Sequence, residues 1–141
     1  MNILISACLL GQYCRYDGKT KVYPQVQALL NRDDIHLIPV CPEQAGGLAT
    51  PRPAAERQGS RVVTANGSEV TAQYQRGAEA ALYWARLFHC TKAILKEKSP
   101  SCGHGQIYDG TFSRTLTVGD GVTVELLRAE GLEIIGESDL P

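Results

Sequence analysis

The chain has 141 residues, 43% hydrophobic and 21% charged, with a formal net charge of −1, enough for one domain (1–141) with its own core and no metal or disulfide staples. Near-neutral charge without a Lys/Arg stripe argues against a duplex nucleic-acid binder, whose affinity rests on neutralised phosphates. No apolar run approaches the ~18 residues of a membrane span, and the start Met1-Asn2-Ile3-Leu4-Ile5 lacks the cationic and long apolar regions of a signal peptide.

Residues 3–7 read as an apolar strand, beginning so near the first residue that a central position in a sheet is expected. Residues 11–19 are turn-rich. Pro24 opens a short helix ending near Asn31, with Val26, Leu29 and Leu30 on one face. A second strand spans 36–40. Residues 42–60, rich in Gly and Pro, read as a long loop, and loops of that length inside a domain are commonly functional. Residues 61–64 and 68–70 flank Asn66-Gly67, a strong hairpin-turn signal. Thr71 is the expected N-cap of the longest helix, 72–89, carrying Ala78, Leu82, Ala85 and Phe88. A third strand covers 92–97, and a Gly-rich loop over 99–121 includes a short ribbon at 111–114. Asp120 is expected to cap a helix near 121–130, ended by Gly131, and 133–136 is a fourth strand. This order predicts an α/β fold. Its core is a small doubly wound, mostly parallel sheet of four to five strands, Rossmann-like or flavodoxin-like, with a β-hairpin insertion.

Five cysteines, an odd number with no secretory signature, point to reduced thiols and a cytoplasmic setting. Cys8, Cys41 and Cys102 each follow an expected strand, and the carboxyl ends of parallel strands face one crevice. Three converging thiolates with no fourth make an incomplete shell, which suggests reactivity rather than scaffolding. An iron–sulfur cluster with one iron free of protein ligands fits that set. Zinc is the alternative, with His104 as a fourth ligand. Cys14 reads as a further ligand, a nearby thiol that shuttles, or packing; Cys90 reads as packing. Glu43, two residues past Cys41 and after a Pro that pins the backbone, is a candidate general acid or base. Ser99 and Ser101 offer hydroxyls to a substrate or to turn chemistry. Arg15 with Asp17, Arg52 with Glu56, and Asp109 are expected in ion pairs, and His36 is expected to pack within its strand. No phosphate loop or dinucleotide fingerprint is present.

Four blocks then become recognisable: Cys8-Leu9-Leu10-Gly11-x-x-Cys14-Arg15-Tyr16-Asp17-Gly18, Cys41-Pro42-Glu43-x-x-Gly46-Gly47-Leu48-x-x-Pro51-Arg52, Lys98-Ser99-Pro100-Ser101-Cys102-Gly103 and Ile107-Tyr108-Asp109-Gly110-x-Phe112. Together, in this order, they resemble the thiouracil desulfidase family over essentially the whole chain. The resemblance implies a [4Fe-4S] cluster bound by Cys8, Cys41 and Cys102, with Glu43 as acid/base and Ser99 as a substrate contact. Cys14 belongs to the motif without being an implied ligand. A second domain found in some relatives is expected to be absent.

The implied function is non-redox conversion of thiouracil to uracil and sulfide, with the cluster as Lewis acid. Two other classes stand beside it: a zinc-dependent hydrolase on the same cysteines, and a non-enzymatic cluster or sulfur carrier. The expected partners are a small thiolated nucleobase and the cluster-assembly machinery, with no nucleic acid and no membrane. The chain is expected to act as a monomer.

Overall fold

A computed structural model describes residues 1–141. In chain order the elements are β1 (Asn2–Ser6), α1 (Pro24–Leu30), β2 (His36–Val40), α2 (Pro42–Ala45), β3 (Ala55–Gln58), β4 (Arg61–Thr64), α3 (Thr71–Leu87), β5 (Lys92–Leu95), β6 (Gln106–Tyr108), β7 (Leu116–Val118), α4 (Val122–Ala129) and β8 (Glu133–Gly136). Four strands form one all-parallel sheet in the order β2-β1-β5-β8. Two antiparallel ribbons, β3–β4 and β6–β7, stand apart from it.

Side chains alternate across a strand, so one apolar run feeds two cores. Leu4, Ala93 and Leu95 face α3 and α4, packing on Ala81, Leu82, Ala85, Val124 and Leu127. Ile3, Ile5 and Ile94 face the other way, onto Val26 of α1 and Leu9 of the 3-10 turn Ala7–Leu10. Burying such a side chain stabilises by about 1.5–3 kcal/mol, and Leu4, Ile5, Ile94 and Leu95 are all essentially inaccessible. A sheet covered on both faces is the doubly wound arrangement expected from the sequence. No helix is long and apolar enough to cross a membrane.

Several local expectations are corrected. The segment read as a loop over 42–60 contains α2 and β3. Residues 55–58 supply the main partner of β4, Glu56 opposite Val63 and Arg57 opposite Val62. The Asn66-Gly67 turn forms, but it closes on a single bridge, Val63 to Glu69. Thr71 is the first residue of α3, not its cap; its Oγ1 accepts the Val62 N–H at 2.9 Å and ties the helix start to β4. Gly121 takes the N-cap position of α4, while Asp120 accepts the Gly105 N–H and pairs with Arg128. Residues 111–114 are the turn joining β6 to β7 rather than strand. His36 lies exposed on the edge strand, and Phe88 is exposed past the end of α3.

One contact places the two elements that matter most for the site. A Cβ added at Gly77 of α3 would sit 1.9 Å from the Pro42 carbonyl oxygen, and one at Gly46 would sit 1.9 Å from the Gln73 carbonyl oxygen. The backbones of α2 and α3 therefore touch without intervening side chains. Gly77→Ala is expected to lower stability by about 1–3 kcal/mol, the usual cost of forcing atoms into a packed contact. Thermal unfolding checks this, and an unchanged Tm would contradict the direct seating of α2 on α3.

Candidate active site

β1, β2 and β5 are parallel, so their carboxyl ends lie along one edge of the sheet. β1 runs into the turn that carries Cys8. β2 ends at Val40, and Cys41 takes the N-cap position of α2 with Glu43 in the first turn. β5 leads through Lys96 and Lys98 into the loop carrying Ser99 and Cys102. Around these corners lies a cavity of about 460 Å³, lined among others by Cys8, Cys14, Cys41, Cys102, Glu43 and Ser99. The three cysteines, the carboxylate and the serine singled out in the sequence are thus brought to one volume. Cys90 is elsewhere, buried in the core beneath α3 and α4.

All five cysteines are free thiols. The Cys41 thiol donates to the Cys14 carbonyl oxygen at 3.7 Å, and interaction with Cys41 and Cys8 raises the Cys14 pKa. The same contacts lower those of Cys8 and Cys41, against the opposing effect of burial. Burial raises Cys102, partly countered by a hydrogen bond to Ser6.

No three His, Cys, Asp or Glu side chains converge closely enough to grip a single metal ion. Cys8, Cys41 and Cys102 all line the one cavity, and three thiolates are a donor set that an iron–sulfur cluster takes, each on a different iron. His104 does not line the cavity; its Nε2 lies 3.2 Å from the Asp139 carboxylate. The donor set fits a cluster.

Glu43 is paired with Arg52, not left free. Both Arg52 Nε, at 2.8 Å, and Nη2 donate to Glu43 Oε2. Arg52 Nη2 also donates to the Cys14 carbonyl oxygen at 2.9 Å, and Nη1 to Thr50 Oγ1 at 3.1 Å. The expected Arg52–Glu56 pair does not form. Glu56 instead accepts the N–H groups of Gly110 and Phe112. Arg15 and Asp17 do pair, at 3.4 Å, whereas Asp109 accepts from Thr111. Tyr74 of α3 is buried beside Glu43; burial first, then the carboxylate, push its phenol above the usual range, so it stays neutral. Ser99 Oγ accepts the N–H groups of Ser101 and Cys102, each at 3.1 Å, which shapes the Cys102 turn and leaves its own hydroxyl proton to donate. Lys96, on the same wall, is held by Glu137 at 2.7 Å.

Tyr74 and Lys96 carry no sequence signal of their own. Tyr74 reads as a core aromatic on an Ala-rich helix, Lys96 as an ordinary charged residue of a strand, and Glu56 as a loop carboxylate paired with Arg52. Arg52 lies in a visible motif, but its partner is nine residues back rather than four ahead.

Arg52 and Glu43 are 7% and 13% exposed at their side chains, and removing one partner of a buried pair typically costs about 3–5 kcal/mol. Arg52→Ala is therefore expected to destabilise the fold by that order. Denaturant unfolding measures it, and a loss below about 1 kcal/mol would show the pair to be solvent-screened.

The profile of the 2-thiouracil desulfurase family matches residues 3–139. A Bacillus subtilis (strain 168) protein, YbbK, described as uncharacterized, is 40% identical over 148 residues, spanning 98% of this chain and 97% of that one. A solved structure described as the [4Fe-4S]-dependent thiouracil desulfidase TudS superposes with a TM-score of 0.92 at 48% identity, over 99% of this chain and 93% of that chain. With almost every residue inside the matched span, the chain belongs to the 2-thiouracil desulfurase family.

Proposed function

We propose that this protein is a desulfidase that converts a thiolated nucleobase such as 2-thiouracil to the oxygen analogue and sulfide, using a [4Fe-4S] cluster held by Cys8, Cys41 and Cys102. The observation that carries the reading is the convergence of thiols and one Arg-held carboxylate on a single cavity. The 48% identity to a protein described as a [4Fe-4S]-dependent thiouracil desulfidase supports it. Bound with one iron free of protein ligands, the cluster supplies a soft Lewis acid matched to a thiocarbonyl sulfur.

The chain's own residues supply the rest. Glu43 takes a proton from the water that attacks the carbon bearing sulfur. Arg52 holds that carboxylate by two hydrogen bonds to one oxygen, so Glu43 is oriented before substrate arrives. Ser99 donates its hydroxyl proton to the ring, its oxygen being fixed by two backbone N–H groups. Cys14 is left outside the proposed ligand set, as the family motif implies. Water oxygen replaces sulfur on carbon and sulfide leaves, with no change in oxidation state. A carrier would need neither Glu43 nor Ser99.

Protein purified or reconstituted without oxygen is expected to contain about four irons and four acid-labile sulfides per chain and to release sulfide from 2-thiouracil. Cys8→Ala, Cys41→Ala and Cys102→Ala are each expected to lose the cluster, and Cys14→Ala and Cys90→Ala to keep it. Zinc in place of iron, or a Cys102→Ala variant that keeps its cluster, would overturn the assignment. Glu43→Ala is expected to retain iron and lose at least ~10²-fold in turnover, the scale of a lost general acid or base. Full activity in that variant would remove Glu43 from the reaction.

A further inference from the structure

Four residues other than glycine adopt positive φ: His89 at 53°, Lys98 at 69°, Phe112 at 57° and Arg114 at 60°. His89 directly follows the end of the longest helix, where a left-handed residue ordinarily stops the chain. The other three line the cavity. Side chains other than glycine resist this conformation, so it persists only where surrounding contacts impose it.

Those contacts are visible in the turn joining β6 to β7. Its base is closed by the Asp109 N–H on the Thr115 carbonyl oxygen at 2.9 Å. Buried Glu56, in β3, reaches across and accepts the Gly110 N–H at 2.9 Å and the Phe112 N–H at 3.2 Å on one oxygen. Gln58 of the same strand donates to the Gly110 carbonyl oxygen at 2.9 Å. The turn lies so close to β3 that a Cβ at Gly110 would meet the Arg57 carbonyl oxygen at 2.7 Å. At its tip Phe112 stands 37% exposed. The Arg114 guanidinium enters no ion pair, whereas Arg15, Arg52 and Lys96 on the same cavity wall are all paired with carboxylates.

An exposed aromatic ring and an unpaired guanidinium, both held over a cavity by a strained turn, are the chemistry that recognises a flat heterocycle bearing oxygen acceptors. We infer that Phe112 and Arg114 are substrate-binding residues of the desulfidase, and that Glu56 is the positioning residue that holds them in place. Phe112 stacks on the face of the base and Arg114 donates to an oxygen on its rim. The inference rests on the desulfidase reading, and it adds residues that lie outside the cysteine, glutamate and serine set.

The test uses cluster-loaded protein and 2-thiouracil. Glu56→Ala is expected to raise KM at least ~tenfold while iron content and kcat stay within about twofold, and Glu56→Gln, which keeps a carbonyl acceptor for both N–H groups, is expected to restore most of the loss. Phe112→Ala is expected to raise KM similarly, and Phe112→Tyr to keep it. Arg114→Gly relaxes the backbone while removing the guanidinium, so its Tm is expected to rise by ~2–8 °C as its KM rises. If Glu56→Ala does not fold, Arg114→Gly decides, because it disturbs no core residue. Unchanged KM in these variants with an active wild type overturns the inference and leaves the desulfidase reading standing. A fall in Tm for Arg114→Gly overturns the strain argument. Wild-type holoprotein that releases no sulfide overturns the desulfidase reading and this inference with it.

Discussion

The direct backbone contact between α2 and α3 is the constraint on which the site depends. α2 has four residues, far below the length at which a helix is stable in water alone. It exists because Gly46 and Gly77 let its peptide groups lie against those of α3. Cys41 stands at its start and Glu43 in its first turn. One tertiary contact therefore fixes both a thiol and a carboxylate relative to Cys8, which the neighbouring strand delivers independently. Any larger side chain at either glycine would move the two groups together away from the end of β1.

Charge is arranged around that frame so that few groups are left uncompensated. Every buried side-chain nitrogen and oxygen has a hydrogen-bond partner, which matters because an unpaired buried charge costs several kcal/mol. Arg52 serves four neighbours at once: the Glu43 carboxylate, the Cys14 and Ala49 carbonyls and the Thr50 hydroxyl. It thereby links α2, the segment after it and the turn that carries Cys14. Lys96 and Glu137 repeat the device elsewhere on the cavity lining, where Glu137 also accepts the Glu97 N–H. Burial alone would raise the Glu137 carboxyl, yet these hydrogen bonds hold it below its usual value. The cavity wall is rigid for electrostatic reasons as well as packing ones.

The sheet and the gathering of the cysteines were legible from residues alone, because both follow from short-range rules. Continuous apolar runs such as Ile3-Leu4-Ile5 mark strands buried on both faces, and parallel strands carry whatever follows them to one edge. What failed to show was non-local or weakly patterned. Residues 55–58, Ala-Glu-Arg-Gln, hold one apolar residue and no β-branched one, so the real partner of β4 looked like loop, while Asn66-Gly67 advertised a hairpin that closes on one bridge. α2 hid between Pro42 and Gly46, punctuation that reads as loop. Arg52 sits four residues from Glu56 and nine from Glu43, and proximity in sequence favoured the wrong carboxylate; burial of both partners under Tyr74 decides for Glu43. The family motif named Cys8, Cys41, Cys102, Glu43 and Ser99, but no motif says that the Ser99 oxygen accepts two backbone N–H groups and so shapes the Cys102 turn.

Backbone strain completes the picture because of where it is tolerated. Each left-handed residue other than glycine costs of order 1–3 kcal/mol, against a typical total stability of about 5–15 kcal/mol. Glycine at these positions would avoid the cost, and the chain does use glycine at Gly105 and Gly110 in the same region. At Lys98, Phe112 and Arg114 it keeps side chains instead. A fold selected for stability alone would have no reason to hold a phenyl ring and a free guanidinium at such positions, or to bury Glu56 beneath the turn to keep them there. The retention of large side chains where glycine would be more stable is the physical argument for the inferred role of Phe112 and Arg114 at the cavity they line.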